Sequence, residues 1–247
     1  MSGFAHKEMK RLMGKAIHKY SMTEEGDKIL VSVSGGKDSM SLLWLMNERL
    51  ARLPIKYEIL AVHVDPGFGG DNARKIEAYF EEHGFSYRII TGDFGPRAHS
   101  PENLENPCFF CARQRRKHVF KLAAELGCNK IALGHHKDDI IETLFINMFY
   151  GGSISTMLPV QDFFDGKIRI IRPLFMADEN LIKRYAKDME FPDIETCCPT
   201  SGRSKREEIK NMLTTLYRSN RKIKGNIFHA LQNVKTKYLL KGTANKR

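Results

Sequence analysis

Three short groups of residues in this chain have the types and spacing to do chemistry. In the first, an apolar run stops at Ser34-Gly35-Gly36-Lys37-Asp38-Ser39 and an apolar run with helical spacing follows at once. Paired glycines let a backbone approach a ligand closely, and a helix starting there offers unpaired N–H groups and its positive end to an anion. Ser34, Lys37 and Ser39 add hydroxyl and ammonium donors, which makes the turn a phosphate cradle. It has neither the G-x-x-x-x-G-K-[ST] nor the G-x-G-x-x-G spacing. The second group is Leu133-Gly134-His135-His136-Lys137-Asp138-Asp139, also read as a strand end leading into a helix. Carboxylates opposite a triphosphate act mainly through a hard divalent cation that neutralises charge as pyrophosphate departs. The plainer alternatives are a helix cap for the aspartates and structural roles for His135 and His136. The third group is the thiols: Pro107-Cys108-Phe109-Phe110-Cys111, ahead of an arginine-rich segment (Arg113, Arg115, Arg116), and Cys197-Cys198-Pro199 further on. A C-x-x-C pair plus one distant cysteine suits an iron-sulfur cluster with one iron left open, four cysteines would close a zinc site, and a dithiol redox pair is the third choice. Adjacent side chains on extended backbone point to opposite sides, which favours three ligands and leaves Cys197 and Cys198 as alternatives. Cys128 reads as a buried filler at a helix end.

Alternating apolar runs and helical periodicities supply the elements that must position these groups. Strands are expected at Lys28–Ser34, Tyr57–Asp65, Tyr87–Thr91, Lys130–His135 and Lys167–Leu174. Helices are expected at Ser39–Arg52, Asn72–His83, Ala112–Leu126, Asp138–Tyr150 and Glu179–Met189. That alternation predicts βαβ units: an α/β fold with a five-stranded parallel sheet covered by helices on both faces, binding its ligand at the carboxyl ends of the strands. A helix over His6–Tyr20 precedes the sheet and a helical region over Ser204–Leu240 follows it. The expected division is an N-terminal helix (1–24), a nucleotide-binding body carrying the cysteines (25–199) and a basic helical region (200–247).

A chain of 247 residues with 42% hydrophobic content can build one sizeable α/β domain with a small appendage. It contains no long apolar span and no secretion signal at the N-terminus, so a cytoplasmic protein without membrane association is expected, with its five cysteines free for metal or redox work. The net charge of +11 resides entirely beyond Pro199, where 13 Lys or Arg face only Glu207 and Glu208. A cationic end on a neutral body suits a polyanion, since each phosphate contacted releases counterions; the bland alternative is a solvated face. Tyr217, Phe228 and Tyr238 are interleaved with those charges and fit either base stacking or a helical core stripe.

On these motifs the chain resembles the tRNA 2-thiocytidine synthetase family of PP-loop ATP pyrophosphatases. The likeness runs through MTEEGDKILVSVSGGKDS, PCFFCARQRR, KIALGHHKDDIIETLFINMFYGG, IIRPLFMADENLIKRYAKDMEFP, REEIKNML and HALQNV. It implies an ATP-dependent sulfurtransferase that adenylates a nucleobase carbonyl and replaces its oxygen with sulfur, converting a cytidine of the tRNA anticodon loop to 2-thiocytidine. Carried over position by position, Ser34, Gly35, Gly36, Lys37, Asp38, Ser39, Gly134, His135 and Asp138 would bind ATP. Lys37, Asp38 and Asp139 would serve catalysis with Mg, and Cys108, Cys111 and one of Cys197 and Cys198 would ligate a 4Fe-4S cluster. The resemblance also implies tRNA as partner, a sulfide donor such as a cysteine desulfurase, and a homodimer in which the N-terminal helix takes part. Two other readings stand beside it: a PP-loop enzyme acting on a small-molecule base or nucleotide, and a cluster-binding sulfur carrier without turnover.

Overall fold

The computed structural model describes residues 3–192, 194, 198–200 and 204–240. Its centre is a six-stranded sheet in the order β3-β2-β1-β4-β6-β5, with β1 Lys28–Ser32, β2 Glu58–Asp65, β3 Tyr87–Thr91, β4 Lys130–Ala132, β5 Val160–Phe163 and β6 Ile168–Ile171. Strands β1, β2, β3, β4 and β6 run parallel, as expected. Strand β5 corrects the expected count: it pairs antiparallel with β6 at the sheet edge. Only four residues long and partly exposed, it lacks the apolar run that marks its neighbours. Its sign was the turn, Phe164-Asp165-Gly166, where all three residues have positive φ and an Asp-Gly pair favours a hairpin.

Helices α1 (Phe4–Lys19), α2 (Lys37–Leu50), α3 (Asn72–Glu82), the short α4 (Phe94–Ala98), α5 (Pro107–Glu125), α6 (Lys137–Gly151) and α7 (Glu179–Asp188) surround the sheet. The basic C-terminal region is helical, as expected, in two helices, α8 (Lys205–Ser219) and α9 (Lys222–Ala230), with a 3-10 turn at Thr236–Tyr238. Two hydrophobic clusters pack the sheet. One joins Ile29, Val31 and Ala61 to Met9 and Met13 of α1, Leu42 and Met46 of α2 and Ile182 of α7. The other joins Leu30, Val62 and Ile131 to Val119 and Ala123 of α5. Helix α1, assigned above to dimer contacts, thus spends its apolar face within its own chain. No helix among the described residues is long and apolar enough to cross a membrane.

The strand order sets the position of the site. From β1 the chain steps outward to β2 and β3, then crosses back to β4 on the other side of β1. The crevice beyond the carboxyl ends of β1 and β4 is therefore the switch point at which open α/β sheets bind ligands. The two loops with nucleotide-site patterns leave these two strands.

Candidate active site

The glycine loop joins β1 to α2. Gly35 has φ +88, and a Cβ there would lie 2.9 Å from Ile194 Cγ2 and 3.0 Å from Ile76 Cδ1, so both conformation and space demand glycine. The Ser39 hydroxyl accepts from the Ser34 N–H (3.1 Å), donates to the Gly36 carbonyl (2.9 Å) and meets the Ser34 hydroxyl at 3.2 Å, which locks the loop around the N-terminus of α2. Gly134 presses on this turn from the second loop, where a Cβ would lie 3.0 Å from both the Asp38 carbonyl carbon and the Ser39 nitrogen. The two motifs, about a hundred residues apart in sequence, are one surface.

Carboxylates and cations alternate around this rim. Lys37 Nζ donates to Asp38 Oδ2 (3.0 Å) and lies 3.5 Å from Glu179. His136 Nε2 lies 3.6 Å from Asp38 and 3.4 Å from Asp139. Asp139 caps its own helix by accepting from the His136 N–H (3.0 Å), while its other oxygen accepts from Arg206 of α8 (3.0 Å). Arg206 also donates to Glu142 (3.0 Å) and Thr143 (3.3 Å). Asp138 accepts from the Glu179 N–H (2.8 Å) and pairs with Lys224 of α9, which also holds Asp178 (2.8 Å). Glu179 takes Lys210 of α8 and Lys183. Burial opposes ionisation of Glu179, but Lys210, Lys183 and Lys37 outweigh it and pull the group down to about 2. At Glu142 burial wins over Arg206 and pushes the carboxyl up to about 7. Burial pushes His135 down to about 4, and Arg172, a donor only, donates to its Nδ1 (3.2 Å), so the ring is neutral with its proton on Nε2.

A magnesium ion is implied for such a site, and the donor set tests the fit. Asp38 Oδ1 is buried without a hydrogen-bond partner, a hard oxygen suited to a divalent cation. Asp138 and Asp139 have their oxygens engaged by N–H groups and cations. Of the three aspartates, Asp38 is the one with an oxygen open to a cation.

The thiols come together from distant parts of the chain. Cys108 and Cys111 lie in the first turns of α5, five residues ahead of the expected helix start, because Pro107 is preorganised for the first helical position and Asn106 accepts from the Cys108 and Phe109 N–H groups (3.0 and 3.2 Å). Cys108 Sγ and Cys198 Sγ meet one hydroxyl, Thr200 Oγ1, at 3.5 and 3.3 Å, and His99 Nε2 lies 3.8 Å from Cys198. Cys111 feels both other thiols, although burial is what chiefly pushes it up. Cys197 lies outside the described residues. No three metal-ligating side chains among the described residues are drawn tightly enough together to hold a single ion. Three neighbouring soft donors fit an iron-sulfur cluster, which spreads its ligands more widely than one ion does. Ile194, four positions before Cys198 in sequence, lies against Gly35. Cys128 is buried under α5, away from the other thiols.

Glu142, Arg172, Asp178, Glu179 and Arg206 fall within the stretches that resemble the family, but sequence reasoning gave none of them a role, and it read Lys224 as a cation for RNA rather than as a partner of Asp138 and Asp178. The C-terminal aromatics divide: Tyr217 and Phe228 pack inward beside Ile141, with Phe228 on Phe175 at 5.3 Å, whereas Tyr238 is exposed.

A glycine loop that grips an anion at the end of β1, faced by an acidic second loop at the end of β4, defines a PP-loop ATP-binding protein, and the model of the PP-loop domain matches residues 5–216. The tRNA-cytidine(32) 2-sulfurtransferase of Citrifermentans bemidjiense is 38% identical over 246 residues, covering 98% of this chain and 96% of that protein. Its namesake from Geotalea uraniireducens is 39% identical over 235 residues, with 94% and 93% covered. The chain belongs to the tRNA-cytidine(32) 2-sulfurtransferase family. Among solved structures, the U34-tRNA thiolase NcsA from Methanococcus maripaludis with its 4Fe-4S cluster superposes with a TM-score of 0.78 over 97% of this chain and 81% of that one; at 24% identity this is a likeness of fold.

Proposed function

We propose that this chain is a cytoplasmic tRNA sulfurtransferase that uses ATP to replace the carbonyl oxygen of an anticodon-loop cytidine with sulfur, giving 2-thiocytidine. The observation that carries this reading is the meeting of Cys108 and Cys198 at the Thr200 hydroxyl, with Cys111 near both, in a chain that also carries a phosphate loop. An ATP-splitting site has no need of thiols, and a sulfur carrier has no need of an ATP-splitting site. Family membership supports the same substrate class.

A base carbonyl oxygen is a poor leaving group, and adenylation makes it a good one. The oxygen attacks the α-phosphorus, the bond to the β-phosphate oxygen breaks, and pyrophosphate leaves. A sulfide sulfur then adds to the activated carbon, the carbon–oxygen bond breaks, and AMP departs with the base's oxygen. Ser34, Gly35, Gly36, Lys37 and Ser39 hold the phosphates through N–H, hydroxyl and ammonium donors. Asp38, whose Oδ1 has no partner, would hold Mg, with Asp138 and Asp139 on the same rim. The fixed Nε2–H of His135 is a ready donor toward the nucleotide. Cys108, Cys111 and Cys198 or Cys197 would hold the 4Fe-4S cluster, which when bound supplies an open iron for a sulfide obtained from a donor of the cysteine desulfurase class. Residues 25–199 form the ATP-binding, thiol-bearing body in this reading, and 200–247 the basic helical region.

The test is anaerobic. Protein reconstituted with iron and sulfide is given ATP, Mg, sulfide and bulk tRNA, and the digested RNA is analysed by mass spectrometry. The expected result is a new thiolated cytidine that vanishes in Cys108→Ala. Pyrophosphate release with a free base or nucleotide, and no thionucleoside in RNA, would move the protein to the small-molecule class.

A further inference from the structure

Charge alone directs attention to the C-terminal helices as the RNA surface, yet three of their cations are spent inside the molecule, while Arg218, Arg221 and Lys222 stay exposed. Arg206 is bound to Asp139 and Glu142, Lys210 to Glu179, and Lys224 to Asp138 and Asp178. Two of the three interleaved aromatics are turned inward as well. Helix α5 has the opposite economy. Arg113, Arg116 and Lys117 on its first half are exposed, no acidic residue follows Pro107 until Glu125, and Arg113 has one carboxylate partner, Glu105 just ahead of the helix (2.9 Å). Arg116 and Lys117 make no ion pair among the described residues.

Three further features of this face point to an anionic, base-bearing ligand. Phe109, between the two cysteines, leaves its ring 62% exposed, and the Arg113 guanidinium sits 5.6 Å from its centroid. Arg115 has a buried Nε with no hydrogen-bond partner and lies close enough to Cys111 and His63 to act on both. Arg116 faces Arg172, which holds His135 at the nucleotide rim; burial chiefly, and then this like charge, lowers the Arg172 guanidinium to about 10. Arg115 and Arg116 have no carboxylate partner among the described residues, and a phosphate supplies a counterion.

We propose that the outward face of α5, with Phe109 and Arg113 as a stacking platform and Arg116 as a phosphate contact, docks the unpaired loop of the RNA substrate. The proposal rests on the tRNA reading above and deepens it by naming the surface. Single-stranded RNA is gripped by cations that follow its backbone and by aromatic or guanidinium planes on which splayed bases stack. A loop held here sits beside Cys108 on one side and, through Arg172 and His135, beside the nucleotide rim on the other, which is where the reacting base must reach both.

The test measures tRNA affinity as a function of salt with the full, reconstituted protein. Phe109→Leu keeps an apolar cover over the sulfur centre but removes the aromatic plane, whereas Phe109→Trp keeps the plane. The leucine variant is expected to bind tRNA about tenfold more weakly with an unchanged salt slope, because stacking releases no counterions, and the tryptophan variant to bind as the parent does. Arg116→Glu is expected to weaken binding and to flatten the slope by about one unit or more, and Lys222→Glu on α9 to do neither. Iron and sulfide content is measured in each variant, and equal content is expected. The proposal is overturned if Phe109→Leu and Arg116→Glu bind as the parent does, or if Lys222→Glu reproduces the loss. It is also overturned if the α5 variants thiolate normally with inorganic sulfide but fail with a protein sulfur donor, which would make this an acidic protein's docking site. A parent protein that binds and thiolates no tRNA sinks the functional reading itself, a result distinct from any of these.

Discussion

Helices α5 and α8 are both basic, and their cations do opposite work. On α8, Arg206 and Lys210 lie four residues apart on one face and turn inward onto Asp139, Glu142 and Glu179. On α5, Arg113 and Arg116 lie three apart and are exposed, Arg113 beside the Phe109 ring with Glu105 as its one carboxylate partner and Arg116 with no ion pair among the described residues. A charge count gives the C-terminal region the whole net excess of +11, but part of that charge, at Arg206, Lys210 and Lys224, is neutralised within the fold. Net charge describes a segment, whereas a binding surface is what remains after internal pairing.

If the inward cations are structural partners of the rim, breaking one should cost far more stability than removing an outward one. The largest effect is expected for Arg206→Met. It strips the partner from Glu142, whose side chain is 7% exposed, and from one oxygen of Asp139. Leaving a buried carboxylate uncompensated costs about 3 kcal/mol, somewhat reduced here because Arg206 is itself partly exposed. Chemical denaturation should show that loss, and Arg206→Lys should recover part of it. Destabilisation below about 0.5 kcal/mol would mean that α8 is not anchored by this residue.

Glu142 sharpens the same point through pH. Its pKa lies near 7 in the folded protein against an ordinary 4.5, so the folded state holds the proton more tightly and stability is lost as pH rises through that window. His135 and His63, both lowered by burial, act in the opposite sense, because their protonation below the ordinary histidine range costs stability. The difference between parent and Glu142→Gln isolates the carboxyl. The glutamine variant should gain on the parent by roughly 1 to 3 kcal/mol between pH 4.5 and 7.5, and a flat difference curve would show that Arg206 fully compensates the charge.

Much of this was legible in the sequence, and the limits of that reading are physical. The parallel strands betray themselves because burial on both faces demands continuous apolar runs such as Ile29 to Val31. The two nucleotide loops were legible because Gly35 and Gly134 are forced by close approach and, at Gly35, by positive φ, and such constraints leave a local trace. The thiol pair was legible by spacing. Arg206 and Lys224 were not, because a salt bridge spanning 67 residues, or 86 in the case of Lys224 and Asp138, depends on how two helices cross and leaves nothing in the local pattern. For the same reason Tyr217 and Phe228 read equally well as stacking rings or core stripe until α8 and α9 were seen to lie on α6.

A smaller loss is expected at Lys224, partly buried between Asp138 and Asp178 beneath the Tyr217 ring. Lys224→Met keeps the packed stem but leaves two carboxylates facing each other without their shared cation. About 1 to 2 kcal/mol should be lost, and added salt should restore part of it through screening of the half-exposed Asp178.

The smallest effect has the most informative sign. Arg116→Ala removes an exposed cation with no ion pair among the described residues and a like charge from beside Arg172. Removing such a charge should leave stability within about 0.5 kcal/mol of the parent, and on the stabilising side, while tRNA binding weakens. A residue that costs the folded protein a little and serves the ligand a great deal is kept for binding. If thermal melting instead shows Arg116→Ala to be clearly destabilised, the guanidinium has a partner within the fold, and the contrast between α5 and α8 collapses into two versions of the same internal neutralisation.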